Sequence, residues 1–333
     1  MSSIFDRFEL SSFKRMYENA RAVHDYSGKN TLLILLDMAS CILNDHIGYM
    51  EYNLFRFVDK PKDKRKTYVT FDYSQYLFKT LNDKDYLPLF NDKLQFNKIF
   101  KDYLGREFLD ISEAEYEDFV KFCENKKRFF AKPADSCSGK GIYRNFDINE
   151  DTDLQELFDY LKENKLFVED SIEQHEEMKK LNPTSINTVR VVTVLDKHNE
   201  AHVMYTLQRI GINNMSVDNV GSGGIYTVLS DEGQIINPCW SDKTITTYTK
   251  HPTTGMDLIG FTVPYYKEAL ELCKKAAKVE PHIRYVGWDI AISDKGPVIV
   301  EGNPLPGYDM PQNYFVTLKD TGLKPDFERV LNK

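Results

Sequence analysis

The sequence predicts an α+β chain with a helical amino-terminal lobe, and three observations point there. Helix-patterned, aromatic-rich sequence fills residues 4 to 58, strand-forming runs alternate with tight turns from Arg128 onward, and no glycine-rich strand-to-helix turn marks a Rossmann unit. At 333 residues, 41% hydrophobic and 13% aromatic, the chain can bury a large core without disulfide staples.

Taken in order, Thr31 to Leu43 reads as a buried helix, too short to span a bilayer and interrupted by Asp37. Tyr68-Val69-Thr70-Phe71 reads as a short strand, and Lys93 to Leu104 as a helix. Two capping boxes predict helix starts at Ser112, with Glu115, and at Thr152, with Gln155. Strand-rich sequence lies between them, from Arg128 to Phe146. Strands are then expected over Thr188 to Leu195, Ala201 to Ile210, Ile225 to Leu229 and Gln234 to Ile236, followed by a helix from Tyr265 to Lys278. These elements divide the chain into a helical lobe over residues 1–90, a small subdomain over 91–165 and a large one over 166–333.

Charge narrows the function. With 43 basic and 51 acidic side chains the formal net charge is -8, which argues against a general nucleic-acid binder because phosphate neutralisation needs a basic surface. The basic run from Lys60 to Lys66 reads as a solvated loop. Cysteines at 41, 123, 137, 239 and 273 contain no C-x-x-C pair, so neither a disulfide frame nor a zinc knuckle is indicated. The segment Met1 to Asp6 lacks the pattern of an export signal, and a cytoplasmic location is expected.

The most informative stretch is a hairpin. Val286 to Ile292 and Pro297 to Asn303 are apolar runs joined by Ser293-Asp294-Lys295-Gly296. A three-residue loop of Asp294, Lys295 and Gly296 sets Ser293 opposite Pro297 and, counting back, Asp289 opposite Glu301, with Asn303 on the same face. Val286, Trp288, Ile290, Ile292, Val298 and Val300 take the core face. Facing carboxylates repel unless neutralised, and a hard divalent cation with oxygen ligands suits them. The alternative is a solvated polar sheet face. A second candidate is the loop Ala134 to Gly141, following a strand that ends in Ala131-Lys132-Pro133. Its backbone N–H groups and Lys132 can meet phosphate oxygens, although it lacks the Walker A pattern and also reads as a plain hairpin turn.

In this order along the chain, these motifs resemble the ATP-grasp family. Asn91-Asp92-Lys93 resembles the first lysine motif, Ala131-Lys132-Pro133 the second, Phe167 to Ile172 the acidic hinge, and Asp289 with Glu301-Gly302-Asn303 the metal motif. The sugar-transfer associated branch is suggested over residues 30 to 315 by Arg65 to Thr70, Leu81-Asn82-Asp83, Gln174-His175, Ser185 to Arg190 and Gly223-Gly224-Ile225. The helical first lobe departs from the Rossmann-like lobe of D-alanine:D-alanine ligase, and no arginine stands just ahead of Asp289. The resemblance implies the ATP-grasp fold, in which two α+β subdomains clasp ATP.

It also implies roles. Lys93 and Lys132 would hold the α- and β-phosphates, and Ser138, Gly139, Lys140 and Gly141 would close over the γ-phosphate. Glu169, Asp170, Ile172 and His175 would meet the nucleoside, with His175 equally readable as a helix-face residue. Glu301 would bridge two magnesium ions, Asp289 on one and Asn303 on the other. Arg190, Arg209 and Asn187 are the catalytic candidates, the arginines as counter-charges to a transferring phosphoryl group or, alternatively, as surface ion pairs. Asp218 to Gly224 reads as an acceptor-side loop or a flexible turn. The implied activity is ligation of a carboxylate to an amine through an acyl phosphate, on a sugar acid or amino acid in surface-polysaccharide assembly; a small-molecule kinase and a non-catalytic nucleotide-binding partner stay open.

Overall fold

The computed structural model describes residues 10–133, 144–215 and 217–332. Two antiparallel sheets organise them. Strands β1 (Phe108–Leu109), β2 (Arg128–Pro133), β3 (Arg144–Asp147) and β4 (Leu166–Asp170) form the smaller, in the order β1-β4-β2-β3. Strands β5 (Val189–Leu195), β6 (Ala201–Ile210), β7 (Ile225–Val228), β8 (Cys239–Ser241), β9 (Thr246–Tyr248), β10 (Tyr285–Ser293) and β11 (Gly296–Asn303) form the larger, in the order β11-β10-β5-β6-β7-β8-β9.

The period-two alternation of β5 and β10 gives the large sheet two apolar faces. One carries Val189, Val191, Trp288, Ile290 and Ile299 and is covered by helix Tyr266–Ala277, whose Ala269, Cys273 and Ala276 permit close approach, and by Phe90, Phe96 and Phe100. The other carries Val192, Val194, Tyr205, Leu207 and Tyr285, and here the amino-terminal helices pack through Tyr52, Phe55, Tyr68, Leu77 and Leu81. The carboxyl-terminal Phe327 and Val330 join this second core. A third core, with Phe119, Phe129, Phe158 and Val168, belongs to the small sheet.

These cores redraw the expected boundaries. Residues 31 to 81 share a core with the large sheet instead of forming a separate lobe, and Phe90 to Leu104 belong to the large sheet as well. Strand β4, placed in the large subdomain from the sequence, pairs with β1 and β2 in the small one. The small unit therefore runs from Phe108 to Asp170.

Several local expectations are corrected. Tyr68 to Phe71 is no strand: Thr70 accepts from the Tyr73 amide and caps helix Phe71–Leu81, while Tyr68 and Val69 fill the core. Glu115, not Ser112, caps helix Tyr116–Cys123, with Asp118 closing the box; Asp153, not Thr152, caps Leu154–Glu163. The helix from Lys93 breaks at Phe100 into Lys93–Ile99 and Lys101–Leu104. Residues 234 to 236 make only isolated bridges, at Gln234 and Ile235, and the short strands β8 and β9 had no legible pattern. The basic run is not wholly solvated: Lys60 is buried against Asp320 at 3.0 Å, and Arg65 forks onto Asp37 at 2.8 and 3.1 Å.

The hairpin reaches its expected pairing by an unexpected route. Its loop is Asp294-Lys295, with Ser293 opposite Gly296, whose φ of 116° requires glycine. That register alone would set Asp289 opposite Val300. A bulge then inserts Val300, and from there Asp289 faces Glu301 and Gly287 faces Asn303. In consequence Ile299 enters the core, while Val298 and Val300 stay half-buried.

Candidate functional site

The charged residues gather on the large-sheet face that also receives the amino-terminal helices, where β10 lies between β11 and β5. Asp289 stands opposite Glu301 on one side and Arg190 on the other. Arg190 forks onto it, Nε donating to Oδ1 and Nη2 to Oδ2 at 2.9 Å. Arg209, on β6, donates to Oδ2 at 2.8 Å and lies 3.4 Å from Asp218. Asp218 in turn accepts from the Thr188 amide at 2.8 Å and from its hydroxyl, which anchors the loop over residues 218 to 224.

The arrangement splits the acids electrostatically. Burial alone would raise Asp289, but the two guanidinium groups outweigh it and hold the carboxyl well below the usual range. Desolvation and the charge of Asp289 act the other way on Glu301 and push it up to about 7. Burial also raises Asp218, against the pull of Arg209. Arg190 and Arg209 are thus buried counter-charges to Asp289 and not surface pairs. Arg190 lies directly across the ladder from Asp289, on a neighbouring strand.

The small sheet holds a second cluster. Glu169 is buried and pairs with Lys132, accepts from Asn97 at 3.3 Å and meets Arg106 Nε at 3.3 Å. Burial raises its carboxyl, but Lys132 and Arg106 prevail and bring it to about 2. Arg106 was not legible from the sequence, since it sits in a loop outside every motif. It also donates to Ile299 O at 2.7 Å and to Val300 O at 3.2 Å, reaching across to β11.

Other candidates fall elsewhere. Asp170 turns away from Glu169, as successive strand residues do, and meets Lys126 at 3.0 Å and the Glu107 amide at 3.0 Å. His175 caps helix Glu176–Leu181, its Nδ1 accepting from the Glu177 amide at 3.1 Å, and Ile172 is half-buried in the connection before it. Asn187, a catalytic candidate from the sequence, sits at a hub of buried hydrogen bonds. It is fully buried, and its amide group donates to Asn182 O at 2.9 Å and Met178 O at 3.1 Å, while its Oδ1 accepts from the Gly211 amide at 3.3 Å. Lys93 opens a helix capped by Asp92, whose Phe96 packs against Gly302 on the face opposite Glu301. Ser138, Gly139, Lys140 and Gly141 lie outside the described residues.

Magnesium fits the donor set. Asp289, Glu301 and Asn303 offer only oxygen ligands from one face, which suits a hard cation. Both oxygens of Asp289 already accept from arginines. Among the described residues no group of three His, Cys, Asp or Glu side chains forms a metal cluster.

Two antiparallel sheets, one bearing a buried lysine–glutamate pair and the other an acid face set among arginines, define the ATP-grasp class. More particularly, the sugar-transfer associated ATP-grasp family matches residues 72–329, and the chain belongs to that family. Among solved structures it is similar to the ATP-grasp ligase PsnB complexed with minimal precursor, at 12% identity and a TM-score of 0.42, over 75% of this chain and 62% of that one. It is similar to N5-carboxyaminoimidazole synthetase from Staphylococcus aureus complexed with ADP, at 16% identity and a TM-score of 0.41, over 69% and 52%. The D-alanine-D-alanine ligase from Coxiella burnetii gives 10% and 0.37, over 66% and 49%. The chain spans less than two thirds of each of these. No curated protein matches the sequence. Among the described residues no helix is long and apolar enough to cross a membrane.

Proposed function

We propose that the protein is an ATP-dependent carboxylate–amine ligase of the cytoplasm, acting on a sugar acid or amino acid in surface-polysaccharide assembly. The observation that carries the chemistry is the face on which Arg190 and Arg209 converge on Asp289 opposite Glu301. Phosphoryl transfer needs positioned charge more than a protein nucleophile, and fixed guanidinium groups provide it with little reorganisation.

In this reading the substrate carboxylate attacks the γ-phosphorus of ATP, giving an acyl phosphate and ADP. The amine then attacks the acyl carbon, the amide forms, and phosphate leaves with the bond to oxygen. Lys93 and Lys132 hold the α- and β-phosphates. Ser138 to Gly141 cover the γ-phosphate, and the segment from Glu169 to His175 borders the nucleoside. Asp289, Glu301 and Asn303 would hold magnesium, two ions in all, which when bound would neutralise charge on the phosphate oxygens. Arg190 and Arg209 keep Asp289 ionised and oriented, and they supply positive charge to the transferring group.

The test is product analysis. With ATP, magnesium and candidate carboxylates, ADP release should depend on an added amine and yield an amide. A stable phosphorylated product formed without amine would instead make the protein a kinase. Glu301→Gln should reduce ATP turnover to background with the fold retained by circular dichroism; wild-type turnover in that variant would refute the assignment of the acid face.

A further inference from the structure

The β11 bulge decides whether the acids meet at all. From the turn to Ile290, each β10 residue pairs so that Ile290 faces Ile299; from Asp289 onward the pairing is shifted by one, so that Asp289 faces Glu301. Without Val300 as the extra residue, the acid now at 301 would face Trp288 and point into the apolar core, because a one-residue slip turns every side chain to the other face. A bulge, however, disturbs the ladder locally and leaves backbone groups needing partners.

Arg106 meets that need. Its Nη1 and Nη2 donate to Ile299 O at 2.7 Å and Val300 O at 3.2 Å. Successive carbonyls of a regular strand point to opposite sides, so one side chain reaches both only where the strand is bulged. The same guanidinium meets Glu169 through Nε at 3.3 Å, and its side chain is 3% exposed. Glu169 is the partner of Lys132. One buried arginine therefore touches both the lysine's carboxylate in the small sheet and the backbone that sets the register of Glu301 in the large one.

We infer that Arg106 is a positioning residue that fixes the β11 bulge, and with it the cation-binding acids, to the small lobe's Lys132–Glu169 pair. It acts through Glu301 and Glu169 and touches neither nucleotide nor substrate. The inference rests on the reading of Asp289 and Glu301 as the cation face under the proposed function.

Calorimetric ADP binding, with and without magnesium, tests it. Wild-type protein should bind ADP more tightly with magnesium; absence of that gain would count against the proposed function and not specifically against Arg106. Arg106→Lys, whose single ammonium cannot span both carbonyls and Glu169, should lose about 10- to 100-fold of the magnesium-dependent gain, the range typical of residues that orient metal ligands, while magnesium-free ADP affinity falls less. Should Arg106→Ala fail to fold, Arg106→Lys carries the test. A wild-type magnesium gain in Arg106→Lys overturns the inference, as does equal loss of affinity with and without magnesium.

Discussion

Asp289 and Glu301 face each other across one ladder, yet the protein treats them oppositely. Asp289 is 3% exposed and its charge is answered by two arginines, so Asp289→Asn would strand both guanidinium groups. Breaking a buried pair in this way costs about 3–5 kcal/mol, and denaturant melts should show a loss of that size. Because its carboxyl is held down, the stability it contributes is present above its ordinary 3.8 and is lost as pH falls through the lower folded value. Glu301 is raised, so its contribution has the reverse sign: stability intact below 4.5 is given up as pH rises through about 7. In chelator, Glu301→Gln should therefore melt above wild type, with a gap that widens over that window. Identical melting curves at every pH would contradict the electrostatic split.

At the level of elements, the hairpin shows how far sequence patterning reaches. Alternation put Asp289, Glu301 and Asn303 on one face, and that pairing is present. The path differs because a two-residue turn and a bulge offset one another, and the half-buried valines at 298 and 300 give no compositional sign of which residue is extra. Helix caps were misplaced by one to three residues for a related reason: Asp, Glu, Ser and Thr crowd both sites, and several can serve. Arg190 and Arg209 could be singled out as charged residues on apolar strands, but their shared partner lies 99 and 80 positions away. Arg106 had no such strand to mark it. Gly302 adds a prediction here. A Cβ at that position would lie 2.8 Å from the Phe96 ring and 3.1 Å from Phe90, so Gly302→Ala should cost about 1–3 kcal/mol through overpacking and weaken magnesium-dependent ADP binding by moving Glu301. Thermal melts and calorimetry on the same variant read both effects.

Across the whole molecule, the amino-terminal helices were legible as helices but not as part of the large sheet's core, since aromatic residues such as Tyr52, Phe55 and Tyr68 carry no label naming what they cover. Tyr285 accepts from Asn82 Nδ2 at 2.9 Å through its carbonyl, and Val69 exchanges backbone bonds with the Gln312 amide at 2.8 and 3.0 Å. Residues 91–333 expressed alone should consequently expose Val192, Val194, Tyr205 and Tyr285 and lose cooperative unfolding. A sharp melt and resolved near-ultraviolet circular dichroism from that fragment would show the helices to be dispensable.

That shared core also sets the timing of synthesis. Lys60 finds its anion at Asp320, 260 positions later, and the Lys324 amide donates to Thr67 O. Contacts so distant in sequence close slowly, because the intervening loop must be immobilised before they return any stability. On the ribosome, the apolar flank of the first helices remains without its sheet until β5, β6 and β10 have emerged, and until then it is exposed to aggregation. This architecture therefore places a demand on chaperones during translation.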